Sequence, residues 1–237
     1  MNVGDSTPRV VVAVAGLAIE ARIASGPGVH TVACGGNARR LAAAIESEIA
    51  RGANAVISFG IAGGLAEDVG PGTWLIASAI VTPTSRWPCD PAWAASLAKR
   101  LRGALVTELA GVDAPVADRA AKRALHRATG AAAVDTESHI AAEIAAAHGL
   151  AFAAFRVVAD PARRRLPAAA AVALDPDGRI NRAAILGSLA RRPGQLPLLV
   201  RTAIDARTAF RALSRGRRLL GPGLGYPDLG ELLVDVT

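Results

Sequence analysis

Ala55-Val56-Ile57-Ser58-Phe59-Gly60-Ile61-Ala62-Gly63-Gly64 is the stretch on which the fold turns. Ala55 to Phe59 has the length of a strand and is apolar except for Ser58, and it runs into closely spaced glycines, so it reads as a buried strand followed by a glycine-rich loop. A strand apolar on both faces belongs in a sheet covered by helices on both sides. Upstream, Val10 to Ala15 is a second run of this kind, and Val29 to Cys34 follows a Gly-Pro-Gly turn signal. Asn37 predicts the cap of a helix reaching about Arg51, with Leu41, Ala44, Ile45 and Ile49 at helical spacing. Downstream, strands are expected at Trp74 to Val81, Ala104 to Leu109, Ala131 to Val134 and Phe152 to Val158. Helices are expected at Val116 to Ala128 and at Ser138 to His148, the latter closed by Gly149. This alternation predicts an α/β domain over residues 1–162, with a central mixed sheet flanked by helices.

After Asp160-Pro161 the composition changes. Residues 1–162 are neutral overall, whereas residues 163–218 carry 13 arginines against 3 aspartates. Arg163-Arg164-Arg165, Pro167 and an alanine run read as a mobile loop, followed by helices at about 180–190 and 196–215. On the second of these, Leu196, Val200, Ala203, Ala206, Phe210 and Leu213 form an apolar stripe, beside which Arg207, Arg211, Arg215 and Arg218 recur. Residues 163–237 therefore read as a basic helical extension with an irregular tail from Gly221, packed on or beside the α/β domain. The basic face is either solvated or a peripheral contact with an anionic membrane.

With 237 residues, 51% of them hydrophobic, 20% charged and 3% aromatic, the chain can bury a core without disulfide staples, its packing carried by alanine, valine and leucine. The longest apolar runs fall short of the roughly 20 residues of a spanning helix. The first lacks the flanks of a signal peptide, since Glu20 and Arg22 follow it directly. Cys34 and Cys89, unclustered, predict neither a disulfide framework nor a metal site, and with them a reduced cytoplasmic protein. The neutral first two thirds, without zinc-finger spacing, argue against nucleic acid as a partner.

Several residues could carry chemistry. The glycines around Ile61 and Ala62 would let backbone amides approach an anion or a sugar hydroxyl, or would simply make a tight turn. Asp135-Thr136-Glu137 falls between a predicted strand and helix, at the edge where α/β sheets place ligands. A carboxylate there suits a vicinal diol, or complements the helix N-terminus. Arg156 and Asp160 flank the end of an apolar strand, and an aspartate so placed could protonate a leaving base if burial raises its pKa. Glu20 and Arg22 follow the first strand and could be no more than an exposed ion pair. The four histidines show no ligand spacing, and His139 is set apart only by its closeness to Glu137. Ser138 could serve as a helix cap.

In this order, a glutamate after the first strand, the glycine segment, Val-Asp-x-Glu-Ser and Arg-x-x-x-Asp, the motifs resemble the superfamily of nucleoside phosphorylases and 5'-methylthioadenosine/S-adenosylhomocysteine nucleosidases. Within it the chain is most similar to the hopanoid-associated phosphorylases, or adenosylhopane nucleosidases. That similarity lies in Gly-Leu-Ala-Ile-Glu-Ala-Arg-Ile-Ala (16–24), Ser-Phe-Gly-Ile-Ala-Gly-Gly-Leu (58–65), Asp-Ala-Pro-Val-Ala (113–117), Val-Asp-Thr-Glu-Ser-His-Ile-Ala (134–141) and the arginine-rich segment with Arg-Arg-Pro-Gly-Gln-Leu-Pro (191–197).

The resemblance implies cleavage of the N-glycosidic bond of an adenine nucleoside bearing a hopanoid tail, by a homo-oligomer, with no metal or cofactor beyond phosphate as a co-substrate. It assigns Asp160 to protonation of purine N7, Glu20 and Arg156 to the surroundings of the nucleophile, and Glu137 to the ribose diol. Asp135, Thr136, Gly60, Ile61, Ala62 and Gly63 complete the binding site. Ile61 stands where relatives commonly present a serine or threonine hydroxyl, and residues 111–116 contain no aromatic to stack on adenine. A soluble purine nucleoside phosphorylase, a methylthioadenosine nucleosidase and a non-catalytic ligand-binding relic remain as alternatives.

Overall fold

The computed structural model describes residues 10–167, 170 and 181–227. The strands are β1 (Val11–Ala15), β2 (Val29–Ala33), β3 (Ala55–Gly64), β4 (Trp74–Val81), β5 (Arg86–Pro88), β6 (Leu105–Gly111), β7 (Ala133–Asp135) and β8 (Ala151–Asp160). The helices are α1 (Ala18–Ala24), α2 (Ala38–Ala50), α3 (Pro91–Arg100), α4 (Arg119–Thr129), α5 (Ser138–Ala147), α6 (Arg182–Arg191) and α7 (Leu196–Leu220). Strands β2, β1, β3 and β8 run parallel in that order, and β8 then pairs antiparallel with β4. From β4 the ladder continues in parallel through β6 to β7, and β7 returns antiparallel to the end of β3. The mixed sheet thus closes on itself through β3, β8, β4, β6 and β7.

Alternation along β1 explains the layers. Val12 and Val14 join Val56, Phe152, Leu41 and Ile45 of α2, and Ala141 and Ala145 of α5, in one buried cluster. Val11 and Ala13 point the other way, into a second cluster with Phe59, Phe155, Trp93 and Leu97 of α3, and Ala209 and Leu213 of α7. A strand reverses its side chains at every residue, so one apolar run supplies both cores. Full burial of each large side chain contributes about 1.5–3 kcal/mol.

Several sequence expectations need correction. The segment Gly60–Gly64 is not a loop but the second half of β3, because β8 pairs with it as far as Gly63 and β7 takes over at Gly63 and Gly64. Strand β6 runs on to Gly111, where it meets β7. Helix α4 begins at Arg119, since the Asp118 carboxylate accepts from the amides of Ala120 and Ala121 and starts it there. Glu20 and Arg22 lie on α1 and are not an exposed ion pair, since Glu20 is buried. Asp90 caps α3 and Pro91 opens it, a helix the periodicity search passed over, as it did the short β5. Of the expected loop from Arg163, residues 163–167 form an ordered turn whose Leu166 amide donates to Ala117 O. The alanine run beyond it lies outside the described residues except for Ala170.

Helix α7 also differs from its sequence reading. Its buried face is Ala209, Leu213, Gly216 and Leu220, laid on β8. Gly216 permits the contact, because a Cβ there would come within 2.7 Å of the Phe155 ring. The expected stripe splits accordingly: Leu213 is buried, while Leu196 and Val200 are each 51% exposed. The segment after Gly221 is irregular as expected, with left-handed backbone at Gly223 and Leu224, yet it is packed: Leu224 is buried, Trp93 Nε1 donates to Leu224 O and Ser96 Oγ to Gly225 O.

Candidate active site

Three strand ends meet at one cavity of about 410 Å3, inside the range of roughly 300–1,000 Å3 common for small-molecule sites. Closure of the sheet brings them together: Gly60 stands opposite Arg156, Gly63 opposite Asp160, and Gly111 opposite Asp135. Glu20, Ile61, Ala62, Gly63, Asp135, Thr136, Glu137 and Asp160 all line the cavity. Gly60 and Arg156 lie directly behind it. Apolar walls come from Leu17, Val112, Pro115, Val116, Val134 and Leu166, and no described lining residue is aromatic.

Arg156 organises the floor. It is fully buried, and its Nη2 donates to Ser58 Oγ (2.6 Å), Asp135 Oδ1 (3.1 Å), Glu137 Oε2 (3.3 Å) and Ser138 Oγ (3.3 Å), while Nη1 reaches Ile61 O at 3.3 Å. Burial opposes its charge, but Asp135, Glu137 and Glu20 outweigh that and hold the guanidinium above its ordinary pKa. Removing this cation alone would strand buried carboxylates, at a cost of about 3–5 kcal/mol.

Asp135 spends its oxygens internally. Oδ1 accepts from the amides of Glu137 and Ser138, and Oδ2 from Ser138 Oγ. Ser138 is the first residue of α5 rather than its cap, and its hydroxyl oxygen, whose proton goes to Asp135, accepts from Ser58 Oγ at 2.8 Å. Glu137 accepts from Thr136 Oγ1 and Arg156. Burial pushes its carboxyl up against the pull of Arg156, and Asp135 pushes it further.

Glu20 sits at the third position of α1. Its Oε2 accepts from Leu17 N at 2.8 Å and its Oε1 from Ile61 N at 2.7 Å. Ile61 thus offers its backbone amide where a side-chain hydroxyl was sought, and offers it to a protein carboxylate. Burial raises the Glu20 carboxyl to about 7, with Glu137 adding to the rise and Arg156 and the two amides opposing it. The approach requires Gly60, where a Cβ would lie 2.5 Å from Glu20 Oε1 and 2.7 Å from Arg156 Nη1.

Asp160 ends β8, its Oδ1 over Gly63 and its Oδ2 bonded to Lys122 Nζ. Burial raises its pKa, against Lys122 and Arg164. Lys122 and Ser58 were missed by sequence reasoning. Ser58 could have been found as the one polar residue in an apolar strand, but Lys122 sits among exposed arginines on α4 and gives no local signal. His139 bonds Asp113 Oδ1 at 3.2 Å. Among the described residues, no group of three or more His, Cys, Asp or Glu side chains could hold a metal ion.

A mixed sheet closed around a nucleoside-sized cavity, with acids on opposite walls and a buried arginine beneath, defines an enzyme of the nucleosidase or phosphorylase class. The chain belongs to the phosphorylase superfamily, whose family model matches residues 6–190. No curated protein sequence matches it. Among solved structures it is similar to the S-adenosylhomocysteine nucleosidase of Streptococcus pyogenes in complex with 5-methylthiotubericidin (TM-score 0.58, 17% identity, 67% of this chain and 86% of that one). It is also similar to the 5'-methylthioadenosine/S-adenosylhomocysteine nucleosidase of Helicobacter pylori (TM-score 0.59, 15% identity, 88% and 97%). The futalosine hydrolase of Helicobacter pylori matches as well (TM-score 0.57, 15% identity, 65% and 88%). At these identities the likeness is one of fold.

Proposed function

We propose that the protein hydrolyses the N-glycosidic bond of adenosylhopane, with water as the nucleophile and adenine as the leaving group. The composition of the cavity wall supports water over phosphate. Glu20, Asp113, Asp135, Glu137 and Asp160 line it, with no lysine or arginine among the described lining residues. A phosphate dianion would enter a field of carboxylates, and the buried cations beside it, Arg156 and Lys122, are already paired with acids. A neutral water meets no such barrier, and negative walls favour an oxocarbenium-like sugar.

In this reading Glu137 accepts from the ribose hydroxyls, Asp160 delivers a proton to N7 as the C1'–N9 electron pair leaves with the base, and Glu20 takes the proton of the attacking water. The hopanoid end of the substrate rests on the sequence resemblance of residues 16–24, 58–65, 113–117 and 134–141. The cavity is too small to enclose both a nucleoside and a pentacyclic tail, so the tail would leave through its mouth. The test is incubation with adenosylhopane, with and without phosphate. Adenine and free ribosylhopane, at a rate indifferent to phosphate, are expected. A ribosyl phosphate product would overturn the hydrolytic reading, and faster cleavage of 5'-methylthioadenosine would reassign the substrate.

Such a substrate has to be met at a bilayer, and α7 supplies a face for it. Leu196, Val200 and Ile204, then Arg207, Arg211 and Arg218, follow one another along the side opposite the buried residues, and all are exposed. Apolar residues beside arginines suit an anionic leaflet, each arginine contributing about 1 kcal/mol. No described helix is long and apolar enough to cross a membrane. The protein is expected to sediment with vesicles containing phosphatidylglycerol at low salt, to be released at high salt, and to lose binding in the triple variant Arg207→Gln, Arg211→Gln, Arg218→Gln. Protein that stays in the supernatant at low salt would sink this part of the proposal. Exposed Leu105, Val106 and Ile19 are consistent with a homodimer, for which light scattering should give twice the chain mass.

A further inference from the structure

Helix α4 buries one side chain among its eleven residues, and that side chain is charged: Lys122, wholly inaccessible. Its ammonium has three donors, and three acceptors meet them, Asp160 Oδ2, Pro161 O at 3.3 Å and Arg164 O at 3.4 Å. The two carbonyls fix the turn that follows β8. The third bond turns Asp160, so that one oxygen faces Lys122 and the other lies over Gly63 on the cavity wall. A carboxylate paired with an ammonium has no proton of its own to give, yet the departing base requires one.

The choice of cation bears on this. The chain has 25 arginines and only two lysines, and one of the two occupies this position. An arginine would have paired with Asp160 at least as well, but a guanidinium does not give up its proton in proteins, whereas an ammonium does.

We propose that Lys122 is the positioning residue and proton source for Asp160, a step that rests on the reading of Asp160 as the acid that serves the leaving base. As the C1'–N9 bond breaks, its electron pair goes to the purine. An N–H bond of Lys122 breaks and its proton passes to Asp160 Oδ2, making the carboxylic acid; rotation of the carboxyl group about Cβ–Cγ carries that O–H to the cavity side, where the O–H bond breaks and the proton passes to N7. Lys122 ends as a neutral amine, Asp160 remains a carboxylate, the base leaves as neutral adenine, and the positive charge resides on the sugar until water attacks. The proton released by that water restores the ammonium through solvent. No oxidant, metal or further reactant is needed.

The test uses the full-length protein and two substrates, adenosylhopane and p-nitrophenyl β-D-ribofuranoside, whose phenolate leaves without a proton. Lys122→Met removes the charge at similar length, and Lys122→Arg keeps the charge but withholds the proton. Both are expected to lower kcat on adenosylhopane by about 100-fold or more with KM little changed, and to leave the p-nitrophenyl riboside rate within about threefold of the unaltered enzyme. Equal losses on both substrates would mark Lys122 as purely structural and overturn the proposal, as would an arginine variant of normal kcat. Should the methionine variant fail to fold, the arginine variant decides. Asp160→Asn separates the two levels of inference: if it is slow while both Lys122 variants are fast, only the role of Lys122 falls, and if it is itself fast, the reading of Asp160 falls with it.

Discussion

Asp160→Asn is expected to lower kcat for the adenine nucleoside by about two to four powers of ten, equivalent to about 3–5 kcal/mol of transition-state stabilisation. The side chain keeps its shape, its place opposite Gly63 in the β3–β8 register and an oxygen for Lys122, so substrate should bind with KM nearly unchanged. What is lost is the ability to carry a proton. Steady-state kinetics with a purine riboside decides the matter, and a variant retaining a tenth or more of the rate would remove Asp160 from the acid's role.

Glu20→Gln is expected to be comparably severe, about two to four powers of ten in kcat, because an amide cannot take the proton of the attacking water. With the Glu20 carboxyl at about 7, the basic form grows as pH rises, so kcat/KM of the unaltered enzyme should climb through about pH 7 and level off above it. The same shift acts on stability with the opposite sign. A carboxyl raised by folding favours the folded state most when protonated. Its contribution is full below the ordinary value of 4.5 and is lost as pH rises through about 7. Between those limits the unaltered protein should lose up to about 3 kcal/mol relative to Glu20→Gln, read as the difference in urea unfolding at each pH. A kcat/KM profile flat from pH 5 to 8 would contradict the assignment of Glu20 as base.

The sequence made the parallel half of the sheet legible, because buried strands such as 11–15 and 55–59 are continuous apolar runs and because Asn37 and Gly149 mark helix ends in the usual way. It also showed the acids that line the cavity, Asp135 and Asp160 at the ends of strands and Glu20 and Glu137 within a few residues of one. Three things were hidden for physical reasons. Helix α1 is seven residues long and opens on Leu17, which offers no side-chain cap, so nothing local announces it. The conversion of Gly60–Gly64 from loop to strand depends on β7 and β8, whose partners lie 70 to 100 positions away. Lys122 resembles the exposed arginines around it, and only the tertiary fold turns it inward. Helix α3 was legible in principle: Asp90-Pro91 followed by Trp93 and Leu97 is a start signal with its apolar pair.

Closure of the sheet through β3, β8, β4, β6 and β7 has a consequence for how this enzyme could change its substrate. Gly60, Asp135, Arg156 and Asp160 are spaced by strand register, Arg156 paired on both sides and the others on one, so none of them can shift without breaking ladder pairing. The cavity's other walls, around Gly35 and Gly36, Val112 to Val116 and Leu166, lie between elements and carry no such constraint. The bond-breaking apparatus and the surface that meets the rest of the substrate are therefore mechanically separate. Insertions or exchanges in those three connections can reshape what the site admits at the far end of a nucleoside while the chemistry at its glycosidic bond stays where the strands hold it.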